Sequence, residues 1–389
     1  MSRKKPSLSH EDWVFYLALT CPAYRLAGDR HDLKESAIKY SHHVSTPMRK
    51  PCPHKTERII HMSSRGVPNE VKELRGNPKK GIALLLPRTP CGAWLLLAMT
   101  ILSISILLST SVSYPATQKF KDEVGREVAF SFPPRRIVSL APNITEILFS
   151  LGLDEEIVGV SIHCNFPEKA KNKPRVGSYI NLDYEKITSL KPDLIIATGA
   201  GNTRDMVDRL EKLGFPTYVL FPRNFDDILR SIGHIGEVVN REREARVINK
   251  EMRKRKQRVV EITRGLPRPK VFIQIGDVPL VTVGKGSFTD DLIRLAGGEN
   301  IAGKEKEVYP RFGMEEVLKR SPEVIVISSM NPQGDYQKIL QGWTRWKTIP
   351  AVKNGRLHLI DSDLLDRPSP RIIEGLEELA KVLHPEKFR

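Results

Sequence analysis

Seven short runs of β-branched and apolar residues alternate with amphipathic segments between Arg136 and Asp361, and that alternation leaves few folds open. The runs are RIVSL (Arg136–Leu140), IVGV (Ile157–Val160), DLIIA (Asp193–Ala197), TYVL (Thr217–Leu220), VFIQI (Val271–Ile275), EVIVIS (Glu323–Ser328) and RLHLID (Arg356–Asp361). Strands that alternate with helices in this way pair in parallel and carry the helices on their faces, so an α/β, doubly wound fold is predicted. One helix is predicted from NITEILFSLG, where Asn143 or Thr145 can cap the free amides and Gly152 can take the left-handed stop position. Another follows from TRDMVDRLEKLG, with Met206, Leu210 and Leu213 at helical spacing. FTDDLIRLAGG and the stretch from Pro370 to Leu383 are predicted helices of the second set of strands.

Between the two sets, helical periodicity runs from Phe225 to Thr263 with only Gly233 and Gly236 as weak interruptions. Its later part is charged on the outer positions, which rules out a buried crossover inside a sheet. It predicts a long, partly exposed helix joining two lobes and stopped by GLPRP (Gly265–Pro269). The expected boundaries are a first lobe over 126–235, a linking helix over 236–265 and a second lobe over 268–389.

Ahead of the lobes lies an uncharged apolar run, Gly92–Val112, long enough as a helix to cross a bilayer, with Arg75, Lys79, Lys80 and Arg88 before it. It predicts a signal peptide or a signal-anchor helix over 92–113, with the C-terminal part exported. Cleavage after Ser113 would place Ser111 and Ser113 at the two positions read by signal peptidase; an uncleaved anchor remains the other reading. Cys91 precedes the run, on the wrong side of the helix for a lipoprotein. Residues 1–80 are predicted to be a disordered N-terminal extension, and a start nearer Met62 is the alternative. Cys21, Cys52 and the nearby histidines lack the paired spacing of a zinc site.

The net charge of +16 is localised: 17 Lys/Arg against 8 Asp/Glu in residues 1–91, and 10 against 4 between Arg241 and Arg264. A tail and one helix face do not make a surface for nucleic acid, which would spread basic residues among stacking aromatics. Beyond the run the chain has one cysteine, Cys164, so no intramolecular disulfide forms there.

RRIVSLAPNITEILFSLG, KPDLIIATGAGN, VFIQIGDVPLVTVGKGSF, LAGGENIAG, LKRSPEVIVIS and RPSPRIIEGLEELAKVLHPE follow one another in an order and at spacings that resemble the periplasmic cobalamin-binding protein family, over about residues 135–385. The resemblance implies a class III periplasmic-binding-protein-like fold: two doubly wound lobes joined by a long rigid helix, here preceded by the signal or transmembrane helix. It implies a periplasmic or extracytoplasmic substrate-binding protein of an ABC importer, with no cofactor of its own, which carries a corrinoid (cobalamin, vitamin B12) to a permease and its ATPase. The ligand positions it implies are Pro142 and Asn143 in the loop APNITE, His163 and Phe166 in VSIHCNFPEKA, Tyr179, Tyr309, and Asp363 and Arg367 in SDLLDRPSPRII. Glu185 and Glu315 fall at the family's permease-docking positions, one on each lobe. Thr198 and Leu364 stand where the cobalamin binders have large aromatics. Haem or an iron-siderophore is the alternative ligand on the same fold, and a membrane-tethered sensor without transport is another reading.

Enzymatic readings find no support in motif. Neither GAGN nor GDVPLVTVGKG completes GxGxxG or GxxxxGK[ST], and GxSxG and HExxH do not occur. His163 is a candidate axial ligand to cobalt or haem iron. His163, His234, His358 and His384 are spread over loop, helix, strand and tail, so no free-metal site is expected.

Overall fold

The computed structural model describes residues 116–388, apart from 179, 278 and 330–335. The extension 1–80, the apolar run 92–112 and Tyr179 lie outside the described residues. No described helix is long and apolar enough to cross a membrane.

The described chain opens with an antiparallel hairpin, β1 (Ala116–Lys121) and β2 (Glu127–Phe132), turned at Gly125 with φ of +93°. Then β3 (Ile137–Ser139), α1 (Pro142–Ser150), β4 (Ile157–Val160), α2 (Tyr184–Leu190), β5 (Leu194–Thr198), α3 (Arg204–Lys212) and β6 (Thr217–Leu220) build the first α/β half. Helices α4 (Phe225–Val238) and α5 (Glu242–Thr263) lead to the second half. That half comprises β7 (Lys270–Gln274), α6 (Phe288–Leu295), β8 (Glu299–Asn300), α7 (Met314–Arg320), β9 (Val324–Ser329), α8 (Tyr336–Thr344), α9 (Pro350–Lys353), β10 (Leu357–Asp361), α10 (Ser362–Leu365) and α11 (Ile372–Leu383).

Both sheets are parallel, ordered β4-β3-β5-β6 and β10-β9-β7-β8. Taken in chain order, each is a 2-1-3-4 sheet, so the second half repeats the topology of the first. In this winding the chain reverses direction beside the first strand, and the crevice at the carboxyl ends of the strands is where ligands sit.

The period of two along a strand divides the core into layers. Ile137, Leu194, Ile196, Tyr218 and Leu220 face inward to a cluster that continues through α1, α4, α5, α6 and α11 to Val271, Ile273, Val324 and Val326 of the second sheet. Val138, Ile195, Ala197 and Val219 face the other way, onto Ile187, Val207 and Leu210. Phe272, Ile325 and Ile327 do the same in the second half, onto Val317 and Ala351. One apolar core therefore runs between the halves, with a smaller cluster outside each sheet.

The predicted single helix over 225–263 is two. It breaks between Val238 and Glu242, where Asn240 takes the left-handed conformation at φ of +57°. Asparagine tolerates that conformation better than most residues because its amide can bond locally. α5 then packs back beside α4: a Cβ on Gly236 would lie 2.6 Å from that of Ala245, and Asn249 Nδ2 donates to the Leu229 carbonyl at 2.8 Å. The chain crosses to the second half on the 22 residues of α5, about 33 Å of helix. They bury Ala245, Met252, Val259 and Thr263 as one seam. Adjacent residues near the middle of α5 tie it to a helix on either side, Lys256 to Asp226 on α4 at 2.7 Å and Arg255 to Glu377 on α11 at 2.6 Å.

The hairpin, which was not predicted, is fastened to the edge strand β6. Glu123 N–H donates to the Val219 carbonyl at 3.1 Å, and Arg126 bridges Asp122 at 2.7 Å and the Thr217 carbonyl at 2.9 Å. The Glu123 carboxylate accepts from Ser231 at 2.6 Å and meets His234 Nδ1 at 3.1 Å. That contact raises the His234 pKa above its ordinary 6.5, with Glu237 adding to the shift and Arg230 and partial burial opposing it. The linked stabilisation is complete below pH 6.5 and is lost as pH climbs through the raised value. Thermal melts at pH 5.5 and 8.5 should therefore show the native protein losing about 1–2 °C more than Glu123→Gln over that interval, a small effect because the imidazole is partly screened by solvent. Equal losses would remove His234 as the source.

Candidate functional site

Helix α1 starts directly beyond β3, at the switch point of the first sheet. Pro142 occupies its first turn, where the missing N–H removes a donor that would otherwise need a cap. The predicted caps are not used: Ala141 precedes the helix in extended conformation with no side-chain cap, and Asn143 and Thr145 lie inside it. Thr145 Oγ1 instead meets Ser139 Oγ at 2.7 Å and Cys164 Sγ at 3.1 Å. Asn143 is buried, and its Nδ2 has no partner among the described residues. Gly152 takes the left-handed position at φ of +76°, as expected.

The next loop, after β4, is held by Cys164, which is 1% exposed, and by Arg175, whose Nη1 donates to the Ser161 and Cys164 carbonyls at 3.0 and 2.8 Å. Burial raises the Cys164 pKa, so this thiol is an anchor and not a nucleophile. The loop presents His163, Asn165 and Phe166. Partial burial and the nearby Arg367 charge hold His163 below its usual range, which favours the neutral imidazole.

The second half contributes the segment that follows β10. Asp361 caps α10 by accepting from Asp363 N–H at 2.9 Å, and the chain then runs through Arg367, Ser369 and Arg371 into α11. These side chains close onto Glu146, one turn into α1 and 2% exposed. Glu146 Oε1 accepts from Arg367 Nη1 at 2.9 Å and from Arg371 Nη1 at 3.4 Å; Oε2 accepts from Ser369 Oγ at 2.6 Å. Burial pushes the Glu146 carboxyl upward, and these three donors oppose the shift. Arg367 also pairs with Asp363 at 2.6 Å and donates to Asn165 Oδ1 at 2.7 Å, while Asn165 Nδ2 donates to Asp363 at 3.1 Å. The Arg371 guanidinium lies 4.0 Å over the Phe166 ring.

His163, Phe166, Asp363 and Arg367, implied separately by the family resemblance, thus belong to one cluster drawn from both halves, beside the helix that Pro142 and Asn143 begin. Phe166 remains 44% exposed, although Arg371 covers one face of its ring. Tyr309 is half-buried against the core, in a strap whose Val308 and Pro310 carbonyls accept from Gly284 N–H at 2.8 Å and Thr282 N–H at 3.1 Å. Thr198 is buried at the carboxyl end of β5 and Leu364 is half-buried on α10. Glu146, Asn165, Ser369 and Arg371 were not singled out from sequence. Among the described residues no three His, Cys, Asp or Glu side chains gather as a metal-holding group.

Glu185 and Glu315 are exposed, each the second residue of a seven-residue helix. The two helices are equivalent pieces of the repeated topology. Each buries one residue, Ile187 or Val317, and ends on a left-handed residue, Lys191 or Ser321. Each then passes a proline into an acidic residue that binds the start of the first strand of its sheet: Asp193 accepts from Arg136 N–H at 2.9 Å, and Glu323 from Lys270 N–H at 2.8 Å.

The family model of the periplasmic binding proteins matches residues 137–364. The vitamin B12-binding protein of Vibrio vulnificus is 32% identical over 257 residues, which cover 64% of this chain and 90% of that protein. An uncharacterised ABC transporter substrate-binding lipoprotein of Bacillus subtilis is 30% identical over 283 residues, covering 71% of this chain and 88% of its own length. The crystal structure of the periplasmic vitamin B12-binding protein of Vibrio cholerae superposes with a TM-score of 0.59 at 30% identity, over 66% of this chain and 99% of that one.

Proposed function

Because the chain belongs to the periplasmic binding protein family, we propose that it is the extracytoplasmic receptor of an ABC importer. Its two α/β halves act as lobes, and the ligand is held in the crevice at the carboxyl ends of their strands. The observation that carries this reading is the convergence of the loop bearing His163, Asn165 and Phe166 in one half on the segment bearing Asp363, Arg367 and Arg371 in the other, about 200 residues apart in sequence. The similar proteins are binding proteins, which supports a binding role.

A corrinoid is the ligand this cluster suits. Its four ionic groups, Glu146, Asp363, Arg367 and Arg371, compensate one another. Such a wall offers hydrogen bonds to the neutral amides around a corrin ring, whereas the propionates of haem call for uncompensated cations. Similarity to vitamin B12-binding proteins supports the same choice. Pro142, Asn143, Tyr179 and Tyr309 complete the proposed contact set, with His163 as the one candidate axial ligand to the metal of the bound corrinoid or haem. Delivery uses Glu185 and Glu315 against a permease served by its ATPase; their matching places on equivalent helices support a docking role for both.

Titration of the purified protein with cyanocobalamin, cobinamide and hemin, followed by calorimetry and visible spectra, tests this. One-to-one corrinoid binding is expected. Binding of hemin alone would move the assignment to haem, and binding of none would favour a tethered sensor.

A further inference from the structure

Glu146 is placed where a binding protein has little reason to keep a carboxylate. A buried ionic cluster is seldom more stable than the apolar side chains that could replace it, so what it adds is fixed geometry. Its carboxylate sits on α1 in the first half, yet all three of its donors, Arg367, Ser369 and Arg371, come from the second half, 221 to 225 residues later. The same segment is held twice more, by Asn165 between Arg367 and Asp363, and by Phe166 beneath Arg371. Both oxygens of the carboxylate are used, so small rotations of one half keep its bonds and a separation at this point breaks them all.

We infer that Glu146 is a positioning residue that pins the Asp363–Arg371 segment to α1, so that Arg367 meets the ligand at a fixed place and the halves pivot about this contact instead of parting at it. This rests on the ligand lying in the crevice but not on which ligand it is. The continuous core through α5 limits motion on the helical side, and Glu146 does so at the carboxyl ends of the strands. The crevice is thereby left to open along its remaining edge.

The test uses the full chain with C21S, C52S and C91S, and spin labels attached through S189C and K319C on the exposed sides of α2 and α7. Cys164 is 1% exposed and remains unlabelled. The distance distribution between labels is measured without ligand, and cyanocobalamin dissociation is followed separately. Glu146→Ala should at least double the width of the distribution and speed dissociation at least tenfold. Glu146→Gln, which keeps an acceptor oxygen, should fall between it and the native protein. An unchanged width in Glu146→Ala alongside a lowered Tm would make Glu146 a mere filler of the core and overturn the inference. Should that variant not fold, Ser369→Ala and Arg371→Met, each sparing the Arg367 pair, must each broaden the distribution; no broadening in either overturns it too. Because the widths need no ligand, they decide this inference even where cyanocobalamin fails to bind and the corrinoid assignment falls.

Discussion

Replacing Arg367 with alanine is expected to lower the stability of the folded unit by about 3 kcal/mol and to remove measurable ligand binding. Breaking a buried ion pair on one side costs about 3–5 kcal/mol, because the abandoned charge stays in a medium that solvates it poorly. Here Ser369 and Arg371 remain on Glu146, which argues for the lower end of that range. The loss should appear as a fall in Tm of about 8 °C. Binding suffers independently, since the same guanidinium positions Asp363 and Asn165. Arg367→Lys should recover less than half of either loss: one ammonium cannot reach Glu146, Asn165 and Asp363 in the directions that a planar guanidinium does. A variant that melts with the native protein would show that the pair contributes nothing net.

Gly375→Ala is expected to cost about 3 kcal/mol or more, although it adds one methyl group and occurs in a helix, where alanine is ordinarily the better residue. The new Cβ would lie 2.2 Å from the Leu364 carbonyl oxygen and 2.8 Å from its carbon. Those are backbone atoms with no rotamer to change, so α10 must withdraw from α11 by roughly 1 Å. α10 carries Asp363, and its withdrawal stretches the Asp363–Arg367 pair. Thermal melts should register the packing cost, and titration should show ligand binding weakened about tenfold, equivalent to about 1.4 kcal/mol. Unchanged melting would mean that the two helices are not in the close contact described.

The strands were legible because β-branched runs bounded by turn residues leave little choice, and all seven runs meet their strands within a residue at each end; EVIVIS and its neighbours needed no tertiary information. The break at Asn240 was hidden, because apolar periodicity continues across it and asparagine permits a left-handed turn without demanding one. The hairpin left a usable signal, Val128 and Phe130 buried at alternate positions beyond the turn glycine Gly125, in a stretch too short and too charged to stand out. At the site, the loops bearing His163, Phe166, Asp363 and Arg367 were found through motifs. Glu146 closed another quoted stretch, APNITE, but its meaning depends on partners over 220 residues away, and the pairing of distant charges is not a property that any window of sequence contains.

The repeated 2-1-3-4 topology bears on how often an encounter succeeds. A partner made of two copies of one subunit presents the same surface after half a turn, and if Glu185 and Glu315 dock as proposed, their equivalent helices would fit it in either of two orientations. Every collision then has two productive poses instead of one. On the proposed docking role, it would not matter which half leads the approach, and only the cargo inside would remain one-handed.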